Sequence, residues 1–472
     1  MNRYLYNTRS EQVESEDLIL FINTCLTCTR QTEFYENQFN QELSVNFVHE
    51  YILANYRSLY ALTLASGIND FNKALIVQNL LSAGSPDCSK EKEEEALLIN
   101  KALSSLPVNR VFKLFKQLQK HRINNRRTRA IIKNYISARE NHAFDAIKYK
   151  SKLQDISRHA HIDWQTEVGH FLFNKKYKQY QNHLFKTYME AHYSHQAVYR
   201  LPYSIAEGFA KKHGIKKSTF LKKIEPNLTK KERLRIQNSV EKEKLTISLD
   251  FSKVNYTPLM IYWLSLDKKQ RSVVKNKFLL SLDYHANLFK ERLRLQNTSI
   301  ALVLDRSYSM SGSSEKKRRP LAIAFGIFHL LKRLAKSCHT FWSTQVTDEN
   351  YVSAHGQSNI ASPLVNALST GADTIIIVSD GFENDVTGMT AMVYKLWKKH
   401  LCKENSQKVL HINPCYNAEN FDVKKLSDDI TTVGIRNVED LPTILKYSLF
   451  ADGSYSQTEF EEYLRKQLYK RK

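Results

Sequence analysis

Glycine, proline and cysteine are all scarce in this chain of 472 residues, which contains 13 Gly, 9 Pro and 6 Cys. The low glycine and proline content argues against a collagen-like protein and against an all-β protein with many tight turns. Six cysteines are too few for a disulfide framework in a chain of this length, so reduced thiols are expected. Helices should therefore be the main structural element.

Long apolar segments are also missing, because no run approaches the roughly 18 residues that a membrane-spanning helix needs. The first residues are too polar for a secretory signal peptide. We therefore expect a cytoplasmic protein with no membrane partner. Hydrophobic residues still make up 42% of the chain, which is enough to bury real cores. The length predicts two or three domains.

Acidic residues are outnumbered: 48 Asp and Glu stand against 70 Lys and Arg, and the formal charge is +22. The excess is uneven along the chain. Residues 1–297 contain 48 basic and 29 acidic residues, whereas residues 298–472 contain 22 and 19. The first segment therefore has the charge of a protein that binds polyanions.

Hydrophobic spacing changes at the same place. Residues 1–297 show the periodicity of successive amphipathic helices, for example around 108–120 and 164–190. From residue 298 onward, five short β-rich runs alternate with helical stretches, which predicts a mostly parallel, doubly wound sheet with helices on both faces. The unbroken apolar run at 374–378 is typical of a central strand. We predict two domains, a basic α-helical one at 1–297 and an α/β one at 298–472.

The first predicted strand of the α/β segment leads into Asp305, Ser307 and Ser309, an Asp-x-Ser-x-Ser loop. Alternate residues of an extended turn can direct a carboxylate and two hydroxyls to the carboxyl edge of the sheet, where doubly wound folds bind ligands. Asp380, in a strand-ending Ser-Asp-Gly, offers a second carboxylate at that edge. Oxygen donors favour a hard cation such as Mg²⁺. The alternative is that the loop is only a polar helix cap.

These residues resemble the metal-ion-dependent adhesion site of the von Willebrand factor A domain family, over roughly residues 298–450. That family also uses a threonine from an intervening loop, and the best match here is Ser358. The resemblance implies that the three serines approach Mg²⁺ or another divalent cation, while the two acids act largely through water. It also implies an open position for an acidic side chain of a protein partner.

Three basic clusters in the helical segment are candidate RNA contacts. Arg126, Arg129 and Lys133 would share one helix face, from which guanidinium groups can bind phosphates bidentately. Tyrosines beside the second cluster can stack on unpaired bases, although core packing explains them equally well. For a single cluster the alternative is a solvated helix face; the overall charge favours RNA. The candidates are Lys120, His121, Arg122, Arg126, Arg127, Arg129, Lys133, Lys175, Lys176, Lys178, Lys211 and Lys212.

A basic helical region followed by an A domain resembles the Ro autoantigen family, whose TROVE module is a ring of helical repeats. Besides the domain order, the similarity lies in the fragments at 124–132 and 201–208. It implies a HEAT-like helical repeat region, with a closed ring as one arrangement. It also implies binding of small noncoding RNAs and of single-stranded 3′ ends of defective RNAs.

No combination of nucleophile and base, no phosphate-binding glycine-rich loop and no complete zinc-ligand set is recognisable in the sequence. The sequence therefore predicts a protein without catalytic residues that binds RNA and a divalent cation. The alternative is a protein-binding scaffold whose metal site captures an acidic residue of its partner, with no RNA bound.

Overall fold

We analysed a computed structural model, which describes residues 9–243, 245, 249–402 and 407–469. The chain divides into two compact units. The first contains residues 1–76 and 255–472, and the second contains residues 77–254. No described helix is both long and apolar enough to cross a lipid bilayer.

Helices make up most of the described chain, as the low glycine and proline content predicts. Numbered in chain order, they are α1 (Arg9–Thr27), α2 (Gln38–Asn55), α3 (Arg57–Leu62), α4 (Asp70–Ser82), α5 (Ser89–Ser105), α6 (Val108–Lys120), α7 (Arg126–Ser137), α8 (His142–Lys148), α9 (Lys150–Ala160), α10 (Glu167–Phe173), α11 (His183–Glu190), α12 (His195–Val198), α13 (Tyr203–Lys212), α14 (Lys217–Ile224), α15 (Lys230–Lys242), α16 (Tyr256–Ser265), α17 (Lys268–Leu293), α18 (Arg319–Leu334), α19 (Ala361–Leu368), α20 (Met389–His400), α21 (Leu441–Ala451) and α22 (Gln457–Tyr469).

The first unit contains a five-stranded sheet in which every paired neighbour is parallel. Its strands are β1 (Ser299–Leu304), β2 (Ser337–Trp342), β3 (Thr374–Val378), β4 (Lys408–Asn413) and β5 (Thr431–Gly434), in the spatial order β2-β1-β3-β4-β5. The apolar run predicted to be central is β3, which lies in the middle of the sheet. The prediction of a parallel, helix-covered sheet is confirmed.

The sheet is buried on both faces, which explains why its strands lack polar alternation. Alternate residues such as Ala301, Val303 and Ile375 pack with Leu364 of α19 and Trp397 of α20 in one apolar cluster. The intervening residues of β1 point to the other face, where α18 is buried along nearly its whole length. The helices on the two faces of the sheet thus support the carboxyl ends of its strands.

Helices from the beginning of the chain complete the first unit. The Asn23 Oδ1 atom of α1 accepts a hydrogen bond of 2.8 Å from the backbone N–H of Gly434 in β5. Cys28 and Val45 share an apolar cluster with Tyr416. The boundary predicted at 298 coincides with the beginning of β1, but the compact unit that contains the sheet also includes residues from the first 76.

Among the described residues of the second unit, the regular elements are all helices, including α5–α15 and the end of α4. Neighbouring helices pack on one another, as in α6 with α9 and α8 with α11. The single helix predicted at 164–190 is wrong, because the chain forms α10 and α11 with a non-helical segment at 174–182. Asn182 caps α11 by accepting hydrogen bonds from the backbone N–H groups of Leu184 and Phe185. The intervening residues are mostly polar, which interrupts the apolar face.

Candidate metal centre and nucleic-acid interface

The side chains predicted to hold a cation lie together at the carboxyl edge of the sheet, all within the first unit. Asp305 directly follows β1, and its backbone N–H donates a 2.9 Å hydrogen bond to the carbonyl of Val378 in β3. Asp380 lies two residues beyond that carbonyl. The two carboxylates therefore come from adjacent strands, as the strand order requires.

Asp305 organises the loops around it as a hydrogen-bond acceptor. Its Oδ1 accepts from the Ser307 backbone N–H at 2.8 Å and from the Ser343 hydroxyl at 3.1 Å. Its Oδ2 accepts from the Ser358 hydroxyl at 3.2 Å. The Ser307 and Ser309 hydroxyl oxygens are 3.1 Å apart, and Ser309 lies close enough to Asp380 to lower the pKa of that carboxyl. The five predicted residues thus form one connected group.

The side chains of the group are almost completely buried. Asp305 is 0% exposed and Asp380 is 2% exposed. Burial and the nearby charge of Asp305 raise the pKa of Asp380 to about 7. Burial also raises the pKa of Asp305, opposed by the hydrogen bonds from its serine donors. Two buried carboxylates repel each other when both are ionised, and a divalent cation beside them would remove that cost.

Two loops besides the Asp-x-Ser-x-Ser loop shape this edge. The carbonyl of Gly356 accepts a hydrogen bond of 3.0 Å from the Tyr308 backbone N–H, and the Ser358 carbonyl accepts from Asn384 and Asp385 at 3.2 Å each. These contacts place Ser358 beside Asp305 even though 53 residues separate them in sequence. The loop geometry thus brings Ser358, the third hydroxyl predicted from the sequence, to Asp305.

Ser343 is a member of the group that sequence reasoning missed. Besides its bond to Asp305, its hydroxyl accepts a hydrogen bond of 3.0 Å from the Arg306 backbone N–H. The signal was present, since Ser343 directly follows β2, and parallel strands end at the same edge. No group of three or more His, Cys, Asp or Glu side chains suited to a metal occurs among the described residues. The candidate centre thus has two carboxylates and several hydroxyls, a donor set that fits Mg²⁺ better than softer metals.

Aromatic side chains lie beside this edge. Phe34 packs edge-on against Tyr308, with ring centroids 5.8 Å apart, and Tyr35 packs against Phe382 at 4.2 Å. Tyr308 is 67% exposed and Tyr35 is 48% exposed. The Lys424 ammonium lies 3.9 Å from the Phe382 ring centroid. We call Phe34, Tyr35, Tyr308 and Phe382 the aromatic rim.

All twelve predicted RNA contacts lie in the second unit, at three places. They occupy the corner between α6 and α7 together with α7, the segment between α10 and α11, and the end of α13. Ten of the twelve side chains are exposed. Arg129 is half-buried and donates to the Asn124 carbonyl at 3.1 Å, and Arg127 is also half-buried.

Arg127 is engaged in an ion pair within the unit. Its guanidinium donates to the Glu95 carboxylate at 2.6 Å and to the Gly84 carbonyl at 3.1 Å. Glu95 is 3% exposed. Arg127 therefore ties α7 to α5, whereas Arg126 beside it is exposed.

The structure distinguishes the two tyrosines of the second cluster. Tyr180 is buried and packs against Phe171 and Phe185, so it belongs to the core. Tyr177 is half-buried and stacks on His170, with ring centroids 4.4 Å apart. Core packing is therefore the correct interpretation of Tyr180.

A further group of lysines was missed by the sequence analysis. Lys148, Lys150 and Lys152 surround the junction of α8 and α9. They alternate with other residues at a helix boundary, so a search for consecutive basic residues or for one helix face does not select them. The signal that could have found them is the sequence Lys-Tyr-Lys-Ser-Lys itself.

Comparison with solved structures finds a match to the crystal structure of the Deinococcus radiodurans Ro (RSR) protein. The match covers 93% of this chain and 100% of that chain, at 11% sequence identity and a TM-score of 0.47. No protein-family model matches the chain, and no curated protein matches it.

Proposed function

We propose that this protein binds RNA through its second unit, without catalysing a reaction on it. The observation that supports this function most directly is the charge of residues 77–254, which contain 35 Lys and Arg against 17 Asp and Glu. This segment therefore has a net charge of +18, out of +22 for the whole chain. Such a concentration of positive charge attracts phosphate-bearing strands.

The helical surface of this unit suits particular forms of RNA. Exposed arginines and lysines can contact the phosphates of an RNA strand. Such contacts do not require access to the bases inside a duplex groove. We therefore propose small noncoding RNAs and single-stranded 3′ ends as the ligands, in agreement with the Ro resemblance. Base contacts would come from unpaired nucleotides.

The RNA proposal is tested by removing three charges from one helix. The triple variant R126Q/R129Q/K133Q should bind several unrelated single-stranded RNAs about tenfold or more weakly than the wild type, because it loses phosphate contacts that do not depend on base identity. Fluorescence anisotropy at fixed salt measures this. The matched control is K336Q/K395Q/K399Q, which removes three exposed lysines from the first unit. Equal affinities for all three proteins, or no RNA binding by the wild type, would contradict the proposal.

We also propose that the group around Asp305 and Asp380 binds Mg²⁺ or another divalent cation. The three serine hydroxyls would approach the ion, and the two carboxylates would balance its charge, largely through water. When bound, the cation supplies positive charge and open coordination positions for an oxygen ligand. Ser307, Ser343 and Ser358 each donate a hydrogen bond to Asp305, and these bonds hold their three loops together.

Substitution of Asp305 tests the cation site. Asp305→Ala removes one of two buried carboxylates, so Mg²⁺ affinity in a calorimetric or fluorescence titration should fall by at least about tenfold. Asp428→Asn, at an exposed position, serves as the control. Circular dichroism spectra of both variants should first be compared with that of the wild type, to test whether the variants are folded. An unchanged Mg²⁺ titration of the Asp305 variant would remove this residue from the site.

The aromatic rim favours a second candidate function for the same edge, binding of a protein partner through an acidic side chain. Exposed Tyr and Phe side chains are common at protein interfaces, and an acidic residue can fill an open position on a bound cation. This function predicts partner binding that requires Mg²⁺ and is abolished by Asp305→Ala. RNA binding by the second unit should remain unchanged in that variant.

A further inference from the structure

A basic cavity in the second unit is the strongest candidate for a ligand site beyond those described. The cavity has a volume of about 750 Å³ and is lined by residues 147–152 together with Asn109 and Ser204. We propose that this cavity binds a phosphate monoester, the 5′-terminal phosphate of a nucleic-acid strand. This inference rests on the proposed RNA-binding function and assigns one specific ligand group to one place.

Three lysines supply the charge of the cavity, namely Lys148, Lys150 and Lys152. The Lys152 ammonium donates a 2.7 Å hydrogen bond to the Asn109 side-chain oxygen. The Lys150 ammonium lies 4.2 Å from the Phe171 ring centroid, and the Lys148 ammonium lies 5.5 Å from the Tyr149 ring centroid. Neutral partners and aromatic rings hold these cations without cancelling their charge.

Other lysines add to the positive potential. Burial and the charge of Lys175 lower the pKa of Lys150. Burial and the charges of Lys113 and Lys116 lower the pKa of Lys152. Lys175 is one of the predicted RNA contacts, so the cavity connects electrostatically with a cluster selected from the sequence. An anion bound there would relieve this repulsion.

The carboxylates of α8 and α9 do not neutralise the group, because they are paired with other cations. Asp145 of α8 accepts from Arg139 at 2.8 Å. Asp155 of α9 lies 3.7 Å from Lys116 and 3.6 Å from Arg158. One carboxylate is thus shared between two cations, and the three lysines of the cavity lining are additional to both. The local balance remains strongly positive, which excludes a cationic ligand.

The first turns of three helices also contribute residues to the lining. Lining residues Asn109, Ser151 and Ser204 belong to the first turns of α6, α9 and α13. The N-cap residues of these three helices are Pro107, Tyr149 and Pro202. None of these side chains forms a capping hydrogen bond with its helix. The first N–H groups of a helix lack partners within that helix and favour an anion. They therefore reinforce the lysines.

The number of donors favours a monoester over a phosphate within the strand. A terminal phosphate has close to two negative charges at neutral pH and three terminal oxygens, whereas an internal diester has one charge and two free oxygens. Three lysines and several N–H groups around one cavity suit the dianion better. An open cavity of this size also leaves room for the attached nucleotide.

The test compares one single-stranded RNA of fixed sequence with and without a 5′ phosphate, using the full chain. The wild type should bind the 5′-phosphorylated strand at least about fivefold more tightly than the 5′-hydroxyl strand. The variant K148Q/K150Q/K152Q should lose this preference. The control K222Q/K230Q/K231Q, which changes exposed lysines of α14 and α15, should keep it. A second variant, K148Q/K150Q, leaves the Lys152 bond to Asn109 intact. It is compared with the wild type in the same way if the triple variant does not fold.

Equal binding of the two strands by the wild type, or an unchanged preference in the folded K148Q/K150Q/K152Q variant, would overturn the inference. If neither strand binds, the RNA-binding proposal fails separately, and inorganic phosphate then decides about the cavity. Saturable phosphate binding by the wild type that is lost in K148Q/K150Q/K152Q supports the phosphate site. No phosphate binding, or equal binding by both proteins, overturns it.

Discussion

Adjacent residues of the same type can have different roles, as Arg126 and Arg127 demonstrate. Both occur in the basic sequence that points to RNA, yet Arg126 is exposed and Arg127 pairs with buried Glu95. Successive residues of an α-helix are rotated by about 100° around its axis. Arg126 therefore faces solvent while Arg127 faces α5. Charge alone therefore overstates the number of side chains available for phosphates.

We predict that the main effect of Arg127→Gln is a lower free energy of unfolding, and that its effect on RNA affinity is smaller. The substitution removes a cation from a carboxylate that is 3% exposed, which should cost roughly 2–3 kcal/mol in the free energy of unfolding. Arg126→Gln should change stability by less than about 0.5 kcal/mol. Urea denaturation of the two variants measures the difference. Equal stability of the two proteins would mean that the pair between α5 and α7 contributes little.

At the scale of elements, the turn after β3 determines where Asp380 points. Gly381 has a φ of +79°, in the left-handed region that glycine favours, and a Cβ at this position would collide with the Lys424 backbone. The Ser379 hydroxyl accepts a hydrogen bond of 3.0 Å from the Gly381 N–H, and Asp380 accepts one of 3.1 Å from Phe382. This turn thus depends on a residue without a side chain.

Gly381→Ala should therefore disturb the candidate cation site without changing any donor atom. We expect Mg²⁺ affinity to fall severalfold and stability to fall by about 1–3 kcal/mol. Gly371→Ala is a matched control, because Gly371 also has a positive φ, of +68°, but no atom within 4 Å of its added Cβ. The control should lose stability through backbone strain alone and bind Mg²⁺ normally. Similar Mg²⁺ affinities of the two variants would show that the turn does not position Asp380.

The sequence predicted some elements well for a clear physical reason. Strands of a buried parallel sheet are short and apolar, so β1 and β3 were recognisable, and the acids that follow them could be assigned to one edge. Ser343 and Ser358 required more, because loops that are distant in sequence bring them to Asp305. The lysines around the α8–α9 junction are close together in the sequence, but the cavity that they line also includes Asn109 and Ser204, which only the fold brings to them.

At the scale of the whole molecule, charge is the property that differs most between the two units. The second unit has a net charge of +18, and the remaining residues contribute only +4. The sequence located the excess within 1–297, but its concentration in 77–254 became visible only once the compact units were known. Residues 9–76 belong to the same compact unit as the sheet, and sequence spacing does not reveal this.

The charge difference predicts a strong dependence of RNA binding on salt. Contacts to six or more phosphates of a single strand should give a slope of about −4 or steeper in a plot of log affinity against log salt concentration. Anisotropy titrations between roughly 50 and 200 mM salt measure the slope. A slope near zero would mean that the positive charge serves solubility and not RNA binding.

The bond between Asn23 and Gly434 joins residues that are 411 positions apart. During synthesis on a ribosome, α1 emerges long before its partner β5. The contiguous unit at 77–254 has all its own residues available long before then. Nascent chains halted before residue 430 should accordingly contain a finished basic unit while α1 still lacks its place beside the sheet, exposed to chaperones and proteases.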